Sequence, residues 1–298
     1  MSMLDHVPEQ RILKGAPATL TTTLYDADGE VDQSIDSGVT VTITRLDGTA
    51  IATAQATTTA SNGVVTYTLT AAQTGSTLDV LTAAWTHNSV VRATTYHEIV
   101  GAHYFPPSRL LKVPGISKAL TTGPGDQTST ALIAARTWIE TLIEWATGVA
   151  WVPRTALDYL DSPGGPSLLL RHVKPRVLTS VTIDDVAETA SDYVLDEIGA
   201  IRLTEGGNLK ASKPREFVVR YSHGFDSPPR DLVEAAVVAA ADRLFTDRTS
   251  LISSRATSYT DGAGTVTNLA ALNPDNPTGI REVDRAIRSY NHRRPGIA

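Results

Sequence analysis

The chain has 298 residues, of which 41% are hydrophobic and 19% charged, and a mean hydropathy of -0.08. That balance predicts one large or two ordinary domains, at roughly 100 to 200 residues each, and argues against a disordered chain. The absence of cysteine excludes thiol nucleophiles, cysteine-based zinc sites, iron-sulfur clusters and disulfides. The formal charge of -6 argues against a general nucleic-acid binder, which needs clustered Lys and Arg to neutralise phosphates.

The longest purely apolar run, Ala235 to Ala241, falls far below the roughly 18 residues of a spanning helix, so no membrane partner is expected. The first residues, Met1-Ser-Met-Leu-Asp-His6, lack a basic region and an apolar region, so no secretory signal is expected either. Charge is unevenly distributed along the chain. Residues 1–105 hold 4 basic and 10 acidic residues, a net of -6, whereas the remainder balances at 22 against 22. The composition therefore changes near residue 105, and a domain boundary is expected there.

The first hundred residues are rich in Thr, Val and Ala. Thr19 to Tyr25, Val39 to Arg45 and Val65 to Leu69 alternate with period two, the pattern of half-buried strands. Asp26-Ala-Asp-Gly29, Asp47-Gly48, Asn62-Gly63 and His87-Asn-Ser89 are hairpin-closing sequences between strands. Short strands separated by such turns predict an antiparallel immunoglobulin-like sandwich over 1–105, with no helix interrupting it. Asp26, Asp28, Glu30 and Asp32 do not have calcium-loop spacing, because the glycine is fourth rather than sixth, and they read as a turn. His87, His97, His103 and Glu98 lack a His-x-x-x-His pair and read as structural, so no metal is expected.

Phe105-Pro-Pro-Ser108 ends the last strand, since proline cannot donate to a ladder. The breaker-rich stretch 106–127 reads as a linker. A helix then begins near Thr128, Ser129 or Thr130, carries Leu132, Ile139, Leu142 and Ala146 at helical spacing, and ends at Gly148 as a C′ residue. Trp138 and Trp145 join or flank that stripe, read as core or as an oligomer contact. Strands follow at Thr155 to Leu160, Leu168 to Leu170, Val177 to Ile183, Tyr193 to Leu195, Ile201 to Leu203 and Phe217 to Tyr221.

A long alanine-rich helix starts after Pro228-Pro229, with Asp231 and Glu234 favouring the positive end of its dipole. It runs to about Thr246. Residues 247–279 read as a long polar loop, functional or disordered. A short helix, Ile280 to Tyr290, precedes a tail, and from Arg281 onward there are 5 arginines against 2 acids, locally +3.

The motifs of common enzymes are missing: no Gly-x-Ser-x-Gly elbow, no phosphate-binding loop, no His-Glu-x-x-His helix. Asp184-Asp185 reads as a tight turn and His223-Gly224 as a strand-to-helix connection. Neither a catalytic residue nor a cofactor is expected, and the sequence presents surfaces rather than a pocket.

Five segments in a fixed order resemble the head-tail adaptor, or head-completion connector, proteins of long-tailed bacteriophages, in an actinobacteriophage-like form. They are Glu144-Trp-Ala-Thr-Gly-Val-Ala-Trp151, Lys174-Pro-Arg-Val-Leu-Thr-Ser-Val-Thr-Ile-Asp184, Ser191-Asp-Tyr-Val-Leu195 with Gly199-Ala-Ile-Arg-Leu203, Val218-Val-Arg-Tyr-Ser-His-Gly-Phe-Asp-Ser-Pro-Pro-Arg-Asp-Leu232, and Pro277-Thr-Gly-Ile-Arg-Glu-Val-Asp-Arg-Ala-Ile-Arg-Ser-Tyr290. The resemblance spans about 128–298. The immunoglobulin-like domain in front of it is a departure from the family's usual plan.

The fold class expected on this basis is multidomain: an all-β sandwich, then a largely helical α+β adaptor domain with a small β-sheet insertion and a C-terminal helix and tail. The resemblance implies a structural virion protein at the capsid-tail neck, assembled in the host cytoplasm. It further implies a ring of twelve copies under the portal, contacts with downstream neck or tail-completion proteins, and double-stranded DNA passing without sequence specificity.

Within that reading the tail anchors to the portal through Arg288, Tyr290, His292, Arg293, Arg294 and Ile297, its arginines suited to carboxylate pairing. Trp138, Trp145, Ala235, Val238 and Asp242 are candidates for the ring interface, which in a cyclic assembly must be heterologous. Arg248, Arg255, Tyr259 and Asn268 fall on the segment expected to line the channel or order on assembly. The alternative reading is a surface- or carbohydrate-binding module carried by the sandwich, which requires exposed aromatics among Tyr25, Tyr67, Trp85 and Tyr96.

Overall fold

The computed structural model describes residues 8–26, 28–35, 37–60, 63–75, 77–117, 120, 128–161, 164–196, 199–209, 216–249, 256–260, 266–269 and 276–290; it leaves the side chains of 59, 60, 128, 246–249, 256–260 and 266–269 undescribed. The chain forms two compact units, Met1–Ala102 with Pro153–Gly224 and His103–Val152 with Phe225–Ala298. The composition change near residue 105 thus marks one of three crossings between units. Residues 153–224, expected within the adaptor domain, group with the sandwich instead.

In the first unit, β1 (Gln10–Leu13), β2 (Ala18–Thr23), β3 (Val39–Arg45), β4 (Ala50–Ala56), β5 (Thr58–Ala60), β6 (Val64–Leu69), β7 (Asp79–His87) and β8 (Val90–Val100) form two sheets, ordered β1-β8-β7-β3-β4 and β2-β6-β5. Period two explains the core. Val39, Val41 and Ile43 point in from β3, Leu81, Ala83 and Trp85 from β7, and Leu20, Val65 and Leu69 from the smaller sheet, all buried in one cluster. Asn88 and Ser89, at φ 51 and 63°, make the two-residue turn between β7 and β8 with the twist that hairpins prefer. Asp26 Oδ1 accepts from the Asp28 and Glu30 amides at 3.0 Å each, so this acidic run is a side-chain-capped turn.

A short helix, α1 (Ala71–Gly75), does interrupt the strands. Its cause is local: the Thr70 amide donates to Gln73 Oε1 at 2.8 Å and the Gln73 amide to Thr70 Oγ1 at 3.3 Å, a reciprocal capping box that Thr-Ala-Ala-Gln spells in sequence.

The other part of this unit contains β9 (Arg154–Leu160), β10 (Ser167–Leu169), β11 (Pro175–Ile183), β12 (Val186–Glu188), β13 (Tyr193–Leu195), β14 (Ala200–Leu203) and β15 (Phe217–His223). They make sheets ordered β12-β11-β15-β9 and β10-β14-β13. A core of Ala156, Leu168, Val181, Tyr193, Ile201, Phe217, Val219 and Tyr221 unites them. Six of these strands coincide with the expected ones to within two residues; β12 follows from the Asp184-Asp185 turn, whose residues sit at φ 51 and 65° and fold Val186 back onto Ile183.

Two ion networks tie the sandwich to this module. Buried Glu98 on β8 pairs with Arg11 on β1 at 3.4 Å and with Arg154 on β9. Buried Asp79, at the head of β7, pairs with Arg45 at 2.9 Å and with Arg220 of β15 at 2.7 Å, and Arg220 also reaches Asp47 at 3.3 Å.

The second unit is built on α2 (Thr128–Thr147), α3 (Arg230–Thr249) and α4 (Arg281–Ser289), with α3 packed against both others. Gly148, at φ 71°, donates its amide to Glu144 O at 2.9 Å and ends α2 as a left-handed C′ residue. The stretch expected as a linker contains a 3₁₀ helix, Pro107–Lys112, and buries Leu110, Ile116 and Leu120. The segment expected as a long loop also departs from that reading: α3 extends to Thr249, and β16 (Ala256–Thr260) pairs antiparallel with β17 (Val266–Leu269). Among the described residues 40% are strand and 27% helix. The apolar period of β15 reports its buried face correctly, whereas two register shifts in β11 leave Val177 exposed, and neither strand's pattern reports how many short strands join them.

Candidate assembly surfaces

On α2, Leu132, Ala135, Ile139, Ile143 and Ala146 are buried at helical spacing, as are Ala235, Ala236, Ala239 and Ala240 on α3. The small side chains let helix backbones approach closely. Ala235 therefore points inward within the unit. Trp145 and Val238 lie at the surface, 56% and 44% exposed, while Asp242 and Trp138 are half-buried. The Arg243 guanidinium sits 4.7 Å over the Trp138 ring, a cation-π contact that occupies one face of the indole.

Buried carboxylates on α2 fasten the loops around it. Glu140 accepts the Tyr104 amide at 2.9 Å and faces His103 at 3.5 Å. Glu144 accepts the Trp151 amide at 3.3 Å.

Three of the family-like segments meet at one aromatic cluster in this unit. Trp151 stacks on Phe225 at 5.0 Å, and Tyr290 approaches it edge-on at 5.3 Å. Trp151 Nε1 donates to Thr147 Oγ1 at 3.1 Å, the Phe225 amide donates to Ala150 O at 3.1 Å, and the Tyr290 hydroxyl donates to Asp231 Oδ1 at 2.9 Å. Buried Asp284 accepts the Thr278 amide and hydroxyl at 2.9 and 2.7 Å, which fixes the entry into α4. Arg288 Nε donates to Asp284 O at 3.3 Å, so Arg288 folds back on its own helix.

Of the expected tail anchors, His292, Arg293, Arg294 and Ile297 lie outside the described residues, as does Arg255 of the channel segment. Arg248 falls in the last turn of α3, Tyr259 on β16 opposite Thr267, and Asn268 on β17 opposite Ser258.

The histidines of the first unit at positions 97, 172 and 223, and Tyr221, are held in structural contacts. His97 is buried, its Nε2 2.9 Å from Thr95 Oγ1, which in turn accepts from Trp85 Nε1 at 2.9 Å; burial holds this imidazole down at about 4. His172 and His223 stack at 4.2 Å. Burial lowers both, and the neighbouring His172 lowers His223 further. Burial, then Asp158, raises the Tyr221 hydroxyl, which donates to Asp158 Oδ2 at 2.7 Å. Among the described residues no group of three or more His, Asp or Glu is placed to hold a metal ion.

These neutral histidines carry a pH prediction. Above pH 6.5 the imidazoles are neutral in both states and stability is complete. As pH falls from 6.5 towards 4 the unfolded chain takes up protons that folded His97 refuses, so stability is lost; at about 1.4 kcal/mol per unit His97 alone removes about 3 kcal/mol. Hydrogen exchange of the β7 and β8 amides should accelerate between pH 7 and 4, after correction for intrinsic rates, and His97→Gln should reduce that dependence. Equal protection factors at both pH values would refute it.

No protein-family model matches the sequence, and no curated protein matches it. Among solved structures the chain is similar to one from the neck of an empty GTA particle with C6 symmetry, at 18% identity over 62% of this chain and 91% of that one, with a TM-score of 0.37. It is also similar to the Lin-41 filamin domain, at 18% identity over 32% of this chain and 86% of that one, with a TM-score of 0.25. No helix of the described residues is long and apolar enough to cross a membrane.

Proposed function

We propose that this chain is a structural virion protein, a head-to-tail adaptor that forms a ring of twelve copies under the portal, joins the DNA-filled capsid to the neck and tail, and turns over no substrate. The observation that carries the reading is the aromatic cluster. Trp151, Phe225 and Tyr290 come from three segments of the family-like order, far apart in sequence and seated together at 5.0 and 5.3 Å. Their contact, with the Tyr290 hydroxyl on Asp231, fixes the residue from which the proposed portal-binding tail begins. Trp145 and Val238 supply apolar surface for a neighbouring copy. The β16-β17 ribbon pairs only with itself among the described residues, and two strands alone are marginal in water, which suits a segment that gains partners on assembly and lines the channel.

The sandwich is read as an immunoglobulin-like brace rather than a glycan-binding module. Trp85 is fully buried, Tyr67 packs against the core and Tyr96 is half-buried, leaving Tyr25 as the exposed ring of the four. Electron microscopy of the purified chain with the portal from the same genome should show ring-symmetric density on the portal's outer face. A bare portal with a monomeric chain would refute the adaptor reading. Deleting residues 291–298 should leave the fold intact and weaken portal attachment at least tenfold; unchanged attachment would remove the tail from the anchor.

A further inference from the structure

Within the first unit a cleft of about 710 Å³ opens between the end of the sandwich and the outer face of the β12-β11-β15-β9 sheet. Its sheet wall follows from period two. Phe217, Val219 and Tyr221 of β15 point into the module core, so Arg220 and Ser222 point out, joined by Thr155 from β9 and Thr179 from β11. The sandwich wall comes from the β3-β4 turn, the approach to β7 and the end of β1.

The charge of this cleft runs against its surroundings. Residues 1–105 hold only four basic side chains among ten acidic ones, yet two of those four, Lys14 and Arg45, are here. Arg176 and Arg220 join them, against the carboxylates of Asp47 and Asp79. The excess is two positive charges. The Asp79 and Asp47 pairs hold Arg45 and Arg220 in place, at 13% and 11% side-chain exposure. Lys14 and Arg176 are exposed at the mouth. Hydroxyls of Thr49, Thr77 and Ser222 line the space between. Two positioned guanidiniums, two exposed cations, of which Arg176 also donates to Gly224 O at 3.4 Å, and hydroxyl groups in one concavity match the oxygens of a doubly charged phosphate ester. The volume lies within the about 300 to 1,000 Å³ of small-molecule sites.

We infer that this cleft binds a small phosphate-bearing ligand, with Lys14 and Arg176 closing over the phosphate and the Thr and Ser hydroxyls meeting its oxygens. The site is independent of the adaptor reading, since it needs neither ring nor portal.

The test is titration of the full chain with glycerol 3-phosphate, inorganic phosphate and glycerol, followed by calorimetry and amide NMR. The expected result is saturable binding of the phosphates, none of glycerol, and shifts at Thr49, Thr77 and Ser222. Equal affinity for the two phosphates assigns free phosphate, and tighter binding of the ester assigns a phosphorylated small molecule. Lys14→Glu with Arg176→Glu should weaken binding at least tenfold with an unchanged melting curve, whereas Arg202→Glu, on an exposed side chain of β14, should not alter it. Absence of saturable binding, or full affinity in the doubly reversed variant, would overturn the assignment. So would preferential binding of short duplex DNA at the same amides.

Discussion

Replacing Asp79 with alanine should destabilise the first unit by about 3 to 5 kcal/mol, the range for removing one partner of a buried ion pair. Asp79 is fully buried. Its carboxylate accepts from Arg45 at 2.9 Å, from Arg220 at 2.7 Å, and from the amides of Val80 and Leu46 at 2.9 and 3.3 Å. Without it two guanidiniums lose the carboxylate they share, and the Val80 and Leu46 amides lose their acceptor. The cost falls between the sandwich and the 153–224 module, because Arg45 belongs to one and Arg220 to the other. Urea denaturation should show the loss, and hydrogen exchange should place it in β7 and β15 together. Asp79→Asn, which keeps acceptor oxygen but no charge, should cost less than the alanine. A loss below 1 kcal/mol in Asp79→Ala would show that the network contributes nothing net.

Trp151→Ala should cost the second unit about 3 to 5 kcal/mol, as truncation of a buried aromatic does. The indole is 4% exposed, stacks on Phe225, takes the edge of Tyr290 and donates to Thr147. Trp151→Phe keeps the ring contacts and loses that one hydrogen bond, worth about 1 kcal/mol. The two variants therefore separate packing from polarity. The alanine also removes one wall of the Tyr290 seat, so portal attachment should fall in protein that is still folded at low temperature. A melting curve matching the wild type would show that the cluster is not a keystone of the unit; normal attachment at full occupancy would detach it from the proposed tail anchor.

How much of this was legible in sequence depended on range. Strands β2, β3, β6, β9 to β11 and β13 to β15 were readable because short apolar or alternating runs bounded by turn residues mark strands, whereas β12, exposed throughout, was not. Turns at Asp184-Asp185 and His87-Asn-Ser89, and the end of α2 at Gly148, were readable because left-handed backbone selects Gly, Asn and Asp. The capping box Thr70-Ala-Ala-Gln73 was equally present and marks α1, although a Thr-rich strand context hid it. The β16-β17 ribbon left little trace, since polar strands without a buried face carry no hydrophobic period.

Among the candidate assembly residues, helical spacing put Trp138, Trp145, Ala235 and Val238 on helices. It did not separate Ala235, buried in the unit, from Val238, three residues on and exposed. That distinction depends on which neighbours a helix packs against. The same limit applies to Arg11, Arg45, Asp79, Glu98, Arg154 and Arg220, whose ion-pair partners lie far away in sequence. Pairing in these networks spans up to 173 residues, as between Arg220 and the adjoining Asp47, and no local pattern encodes it. The sequence by itself determined element type, turn chemistry and the inward face of most strands, because these follow from backbone preference and burial period within a few residues. Only the tertiary structure decided that residues 153–224 join the sandwich, that six buried or half-buried charges weld them, and that a basic cleft lies between, because each depends on contacts between segments that the chain brings together only when it folds.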